Sequence, residues 1–131
     1  MAEGTGKTAK ILIVEDSYGI QRIYSTVLEK AGYSLSLASS GTEALALVGK
    51  HEFDVILLDI VLLDMDGIEF LKAFEPKKHP HTRIVIMTNM EDDDLFKEAA
   101  KYGVNRYVLK KSLTPTVLLG VVKGALGDTG R

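Results

Sequence analysis

The chain has 131 residues, which suits one domain with a core of its own. Apolar residues make up 46% and charged residues 26%, and the net charge is −2, so the chain as a whole carries no electrostatic footprint for nucleic acid. Cysteine is absent, which removes disulfides, thiolate metal sites and thiol catalysis; no apolar run approaches the roughly 20 residues of a membrane span; and the polar N-terminus has no signal-peptide core, so the expectation is a cytoplasmic protein.

Residues 1–9 read as a polar tail. Gly4-Thr-Gly6-Lys7-Thr8 has the ending of a phosphate-binding loop, but the glycine such a loop needs earlier is replaced by Met1, and no strand can precede it. Ile11 to Val14 is a short apolar run that ends at Glu15-Asp16, the pattern of a strand buried on both faces. Ser17 suits a helix cap, and Ile20, Ile23, Tyr24, Val27 and Leu28 recur at helical spacing until Gly32. Ser34 to Ala38 is a weaker strand. Ser40-Gly-Thr-Glu43 has capping-box spacing, followed by the apolar Ala44, Leu45, Leu47 and Val48. Val55 to Asp59 is the third strand, followed by a turn rich in Asp and Gly and a short helix from Ile68 to Phe74 that Glu75-Pro76 stops. His79 and His81 lie in a Pro-containing loop and read as solvated rather than as metal ligands.

Ile84 to Met87 is the fourth strand and ends at Thr88-Asn89. Glu91 to Asp94 suit the positive end of a helix that buries Leu95, Phe96, Ala99 and Ala100 and stops at Gly103. Arg106 to Leu109 is the fifth strand, ending at Lys110-Lys111. Pro115 opens a last helix with Val117, Leu118, Val121, Val122 and Leu126 as its apolar residues, before a tail from Gly127 to Arg131. Unbroken strand–helix alternation predicts an α/β domain with one parallel sheet and helices on both faces.

In such a sheet the carboxyl ends of the strands share one edge, where ligands bind. Glu15 and Asp16, Asp59, Thr88 and Lys110 would all arrive there. Carboxylates gathered together repel, and a hard cation such as Mg²⁺ relieves them while needing few protein ligands. A carboxylate also accepts a phosphoryl group, which a lysine ammonium and a threonine hydroxyl can hold. The set suits phosphoryl transfer onto an aspartate; the plainer alternative is that Asp16 and Asp59 cap turns and Lys110 pairs with one of them.

The motifs Ile-Leu-Ile-Val-Glu15-Asp16, Leu-Leu-Asp59-Ile-Val-Leu-Leu-Asp-Met-Asp66-Gly67, Ile-Val-Ile-Met-Thr88 and Gly103-Val-Asn-Arg-Tyr107-Val-Leu-Lys110 resemble, in order and spacing, those of response-regulator receiver domains, across residues 10–126. The resemblance implies a flavodoxin-like (βα)5 fold with sheet order 2-1-3-4-5. It implies a signalling protein rather than a separate enzyme, in which Asp59 takes a phosphoryl group from a histidine kinase or a histidine phosphotransfer protein. Asp16 and Asp59 would bind Mg²⁺ with the Val61 backbone carbonyl, and Glu15 through water. Lys110 would hold the phosphoryl group, Thr88 would move towards it, and Tyr107 would swing inward, changing the helix 4–strand 5–helix 5 surface that meets a downstream protein or a second copy. The last helix is read first as core-facing and otherwise as a dimer surface.

A second resemblance competes. Leu62-Leu63-Asp64-Met65-Asp66-Gly67 is similar to the first motif of haloacid-dehalogenase-type phosphatases, with Asp64 as nucleophile, Asp66 as general acid and Lys110 as the later lysine. Those enzymes carry their metal-binding acid pair after the lysine, where this chain has only Asp128; here the pair comes first. Asp59 would also be an unpaired charge inside a strand, at heavy cost. A receiver-like module that is never phosphorylated is the third reading, and the filled site positions argue against it. Three positions depart from the receiver pattern: Leu63 and Lys111 stand where proline is common, and Asn89 where a small residue is. The expected peptide before Lys111 is trans, with a shifted loop after Lys110. Val61 and Met90, which flank the phosphoryl position, are both apolar.

Overall fold

The computed structural model describes residues 8–89, 91–104 and 106–127. Five strands alternate with five helices: β1 (Lys10–Val14), α1 (Tyr18–Lys30), β2 (Ser34–Ala38), α2 (Gly41–Val48), β3 (Val55–Asp59), α3 (Gly67–Phe74), β4 (Arg83–Thr88), α4 (Asp93–Ala100), β5 (Arg106–Leu109) and α5 (Pro115–Gly127). Short 3-10 turns cover Pro76–Lys78 and Lys110–Ser112. The strands form one parallel sheet in the order β2-β1-β3-β4-β5, the flavodoxin-like arrangement expected from the sequence. Most of the Gly4–Thr8 run, Met90, Asn105 and the tail from 128 onward lie outside the described residues.

The two-faced burial of the strands explains their unbroken apolar runs. Alternate side chains point to opposite faces. Leu12, Val14, Ile56, Leu58, Ile84 and Ile86 join a core with Ala44, Phe70, Leu71, Phe74 and Ala99 from α2, α3 and α4. Ile11, Ile13, Val55, Leu57, Val85 and Met87 join the other, with Tyr24 and Leu28 of α1 and Leu118, Val122 and Ala125 of α5. α5 is thus core-facing along one stripe, while Gly120 and Gly124 face out.

Several helix details differ from expectation. Ile23, assigned to the buried stripe of α1, is 59% exposed, whereas Gln21 and Ser25 are buried: the helix meets the sheet on a face rotated from the one with the most apolar residues. Ala100 of α4 is exposed too, because Leu95, Phe96 and Ala99 complete the inner face. The expected capping box of α2 is half present: Ser40 accepts from Glu43 N, but the Glu43 carboxylate turns back to Ser39 N. The complete box opens α3, with Asp66 accepting from Glu69 N at 2.8 Å and Glu69 accepting from Asp66 N at 3.1 Å. α3 ends at Glu75, held at φ 57° ahead of Pro76. Among the described residues no cis peptide occurs, as expected at Lys110-Lys111, and the chain makes a 3-10 turn there.

Candidate functional site

β1 leaves the sheet at Glu15, whose side chain turns inward and is fully buried. Its Oε2 accepts the Ser17 N–H at 2.9 Å, which folds the first turn of the β1–α1 loop around the carboxylate. Gln21, unremarked in the sequence because it interrupts an apolar stripe, secures that loop. Its buried amide donates to Glu15 O at 3.2 Å and to Ala38 O at 3.3 Å, tying the carboxyl ends of β1 and β2 together. Asp16 stands beside Glu15, half-buried at the rim.

Asp59 ends β3 in register with Met87 of β4 and is 4% exposed. Its Oδ1 accepts the Val61 N–H at 3.2 Å. Its Oδ2 accepts from Lys110 Nζ at 3.0 Å, across a separation of 51 residues. The same ammonium lies 2.8 Å from Glu15 Oε1, so one lysine bridges the two buried carboxylates. Carboxylate oxygens of Glu15, Asp16 and Asp59 lie within 4.8 Å of one another. With all groups ionised, three carboxylates face one lysine at the site, a balance of two negative charges.

The electrostatics follow from that crowding. Burial pushes the Glu15 carboxyl above its ordinary pKa of 4.5, against the pull of Lys110, and the Asp59 charge adds to the rise. Burial alone lowers Lys110, but its contacts with Glu15 and Asp59 outweigh that and hold it protonated above its usual value. Tyr24, buried under the site from the α1 side, is raised by burial and feels all three charges. A hard divalent cation fits this donor set: it would answer the excess of carboxylate charge that one lysine leaves among Glu15, Asp16 and Asp59.

Thr88 ends β4 at 1% exposure, in register with Leu109. Tyr107 is half-buried; its ring stacks on Phe96 at 4.1 Å, and its hydroxyl proton is shared between Phe96 O at 2.9 Å and Val104 O at 3.2 Å, so the hydroxyl ties it to both α4 and the α4–β5 turn. Val61 is 57% exposed at the mouth. The phosphatase pair is used elsewhere: Asp66 caps α3, and Asp64 accepts from Gly41 N and Thr42 N, each at 2.9 Å, and from Thr42 Oγ1 at 2.6 Å. These bonds hold the Asp64 carboxyl at about 2, below its ordinary 3.8.

The family model for the response regulator receiver domain matches residues 11–123. The chain belongs to the response regulator receiver family. This receiver is 38% identical over 101 residues to sporulation initiation phosphotransferase F of Bacillus subtilis, a match covering 77% of the chain and 81% of that protein. It is 31% identical over a gapped alignment of 134 positions to hybrid signal transduction histidine kinase B of Dictyostelium discoideum, covering 93% of this chain but only 7% of that one. Among solved structures, a CheY-like receiver domain protein from Methanospirillum hungatei superposes with a TM-score of 0.86 at 30% identity, covering 93% of this chain and 96% of that one. The chemotaxis protein CheY4 of Vibrio cholerae gives 0.84 at 33% identity over 92% of this receiver and its own whole length. Among the described residues no helix is long and apolar enough to cross a membrane.

Proposed function

We propose that residues 10–126 act as the receiving partner in two-component phosphotransfer, with Asp59 as the phosphoacceptor. The observation that carries this reading is the Lys110 ammonium set between buried Asp59 and Glu15, with Asp16 alongside. Asp16, Asp59 and the Val61 backbone carbonyl would hold Mg²⁺, with Glu15 acting through water. When bound, Mg²⁺ supplies positive charge against the incoming phosphoryl oxygens. An Asp59 carboxylate oxygen attacks the phosphorus of a phosphohistidine, a P–O bond forms as the P–N bond breaks, and the imidazole leaves. Lys110 stays within reach of the transferred group as a point charge, and the Thr88 hydroxyl supplies a hydrogen bond. Tyr107 follows Thr88 inward; because its hydroxyl and ring hold α4 at Phe96, its movement would pull on the α4–β5–α5 face. That face would meet a downstream protein or a second copy. The donor would be a histidine kinase or histidine phosphotransfer protein, in the cytoplasm.

Incubation with acetyl phosphate and Mg²⁺ tests the site. Intact-mass measurement should find one phosphoryl adduct on the wild type and none on Asp59→Asn; an adduct that survives the substitution overturns the assignment. Loss of that phosphate should be slow, because neither exposed Val61 nor Met90, which lies outside the described residues, can orient an attacking water. Val61→Asn combined with Met90→Glu should shorten the lifetime of the phosphorylated state; an unchanged decay rate removes this explanation.

A further inference from the structure

The β3–α3 loop carries the Val61 carbonyl, and the chain around it has little intrinsic stiffness. Leu63 has no ring to fix its φ, and its side chain is 87% exposed. Near Asp59 the loop is held by the Val61 N–H on Asp59, by the Val61–Asp66 bridge and by the Gly67 N–H on Ile60 O at 2.7 Å. Its outer half is seated on a different element. Asp64 takes both leading N–H groups of α2 and the Thr42 hydroxyl, across 22 or 23 residues of sequence. Met65 packs over Gly41 in the space a Cβ there would need. α2 already has a cap of its own in Ser40, which accepts from Glu43 N at 3.1 Å. The Asp64 bonds therefore join two elements in addition to completing a helix end.

We propose that Asp64 is a positioning residue for the metal-binding loop: by fastening the loop's outer half to α2, it adds to the bonds that hold the Val61 backbone relative to Asp59. The inference rests on the Mg²⁺ reading above. Freed from α2, the outer half of the loop samples more conformations, and the site must order them when the cation binds, which weakens affinity.

Calorimetric titration with MgCl2 tests it on the wild type, Asp64→Ala, Thr42→Val and the double variant. The expected result is a Kd about tenfold weaker for Asp64→Ala, the scale of ordering the backbone of one further residue on binding. Thr42→Val keeps the Asp64 charge and should weaken binding by a smaller factor. The double variant should be no weaker than Asp64→Ala, since both act through one contact. A merely structural cap lowers Tm and leaves Kd alone. An unchanged Kd in folded Asp64→Ala overturns the proposal. So does a wild-type Kd in Thr42→Val, which would assign the Asp64→Ala loss to charge. Should Asp64→Ala fail to fold, Thr42→Val decides by itself. A wild type that takes up no Mg²⁺ overturns the metal reading and this inference together; wild-type binding with insensitive variants overturns the inference alone.

Discussion

Lys110→Ala is expected to cost about 3–5 kcal/mol of stability at pH 7, the range for removing one partner of a buried ion pair. Glu15 is fully buried and Asp59 nearly so, and the Lys110 ammonium is the cation that contacts both. Without it, their charges oppose each other with little solvent to screen them. The loss should depend on pH in a definite direction. Glu15 has a folded-state pKa raised above 4.5, so its contribution to stability is fully present below that value and is lost as pH rises through the folded one. Removing Lys110 removes a pull downward on that pKa and carries the rise further. The deficit of the variant is therefore largest at neutral pH and shrinks as pH falls towards 4.5. Mg²⁺ should raise the stability of the variant itself: at ten times its Kd a ligand of the native state adds about 1.4 kcal/mol. Urea titrations of both proteins at pH 7 and pH 4.5, with and without Mg²⁺, check all three statements. Equal stabilities at pH 7 would mean that water already screens the pair, and a deficit that grows in acid would reverse the assigned sign.

Gly67→Ala is expected to destabilise the fold by about 1–3 kcal/mol, the usual cost of forcing atoms into a filled space. A Cβ on Gly67 would stand 3.1 Å from Ile60 Cα and 3.2 Å from Ile60 Cγ1, and would collide with Ile60 Cδ1. Ile60 cannot swing away: it is 1% exposed, and its carbonyl accepts the Gly67 N–H at 2.7 Å. The displaced residue is the neighbour of Asp59, so phosphorylation by acetyl phosphate should slow along with the fall in Tm. Gly19→Ala is the control. A Cβ there meets nothing within 4 Å and the site is helical, so it should stabilise by roughly 0.5–1 kcal/mol. Should both variants change Tm in the same direction and to the same extent, the close approach at Ile60 is not what glycine is needed for.

Much of this receiver is written locally. Four-residue apolar runs such as Ile11–Val14 and Ile84–Met87 fit strands covered on both sides, and the helical stretches between them fit parallel connections. A parallel sheet places all strand ends of one sense on one edge. The gathering of Glu15, Asp16, Asp59, Thr88 and Lys110 at that edge was therefore legible before any side chain was placed.

What remained hidden depended on how one element meets another. Hydrophobic spacing shows that α1 has an inner face but not its phase against the sheet, so it places Ile23 on the buried stripe and leaves Gln21 out; in the structure Ile23 is exposed and Gln21 is buried, its amide donating to the Glu15 and Ala38 carbonyls at the ends of β1 and β2. Asp64 and Asp66 look alike in sequence, two carboxylates in one turn. Asp66 finds its partners within three residues and caps α3, whereas Asp64 finds them more than 20 residues away on α2. The choice of partner for Lys110 is of the same kind. The chain by itself determined the strands, their common edge and the residue types delivered there, because hydrophobic periodicity and turn chemistry act over a few neighbouring residues. Only the tertiary structure decided which of those charged and polar groups touch, because a buried polar atom takes whatever donor or acceptor the packing brings within about 3 Å, regardless of its distance along the chain.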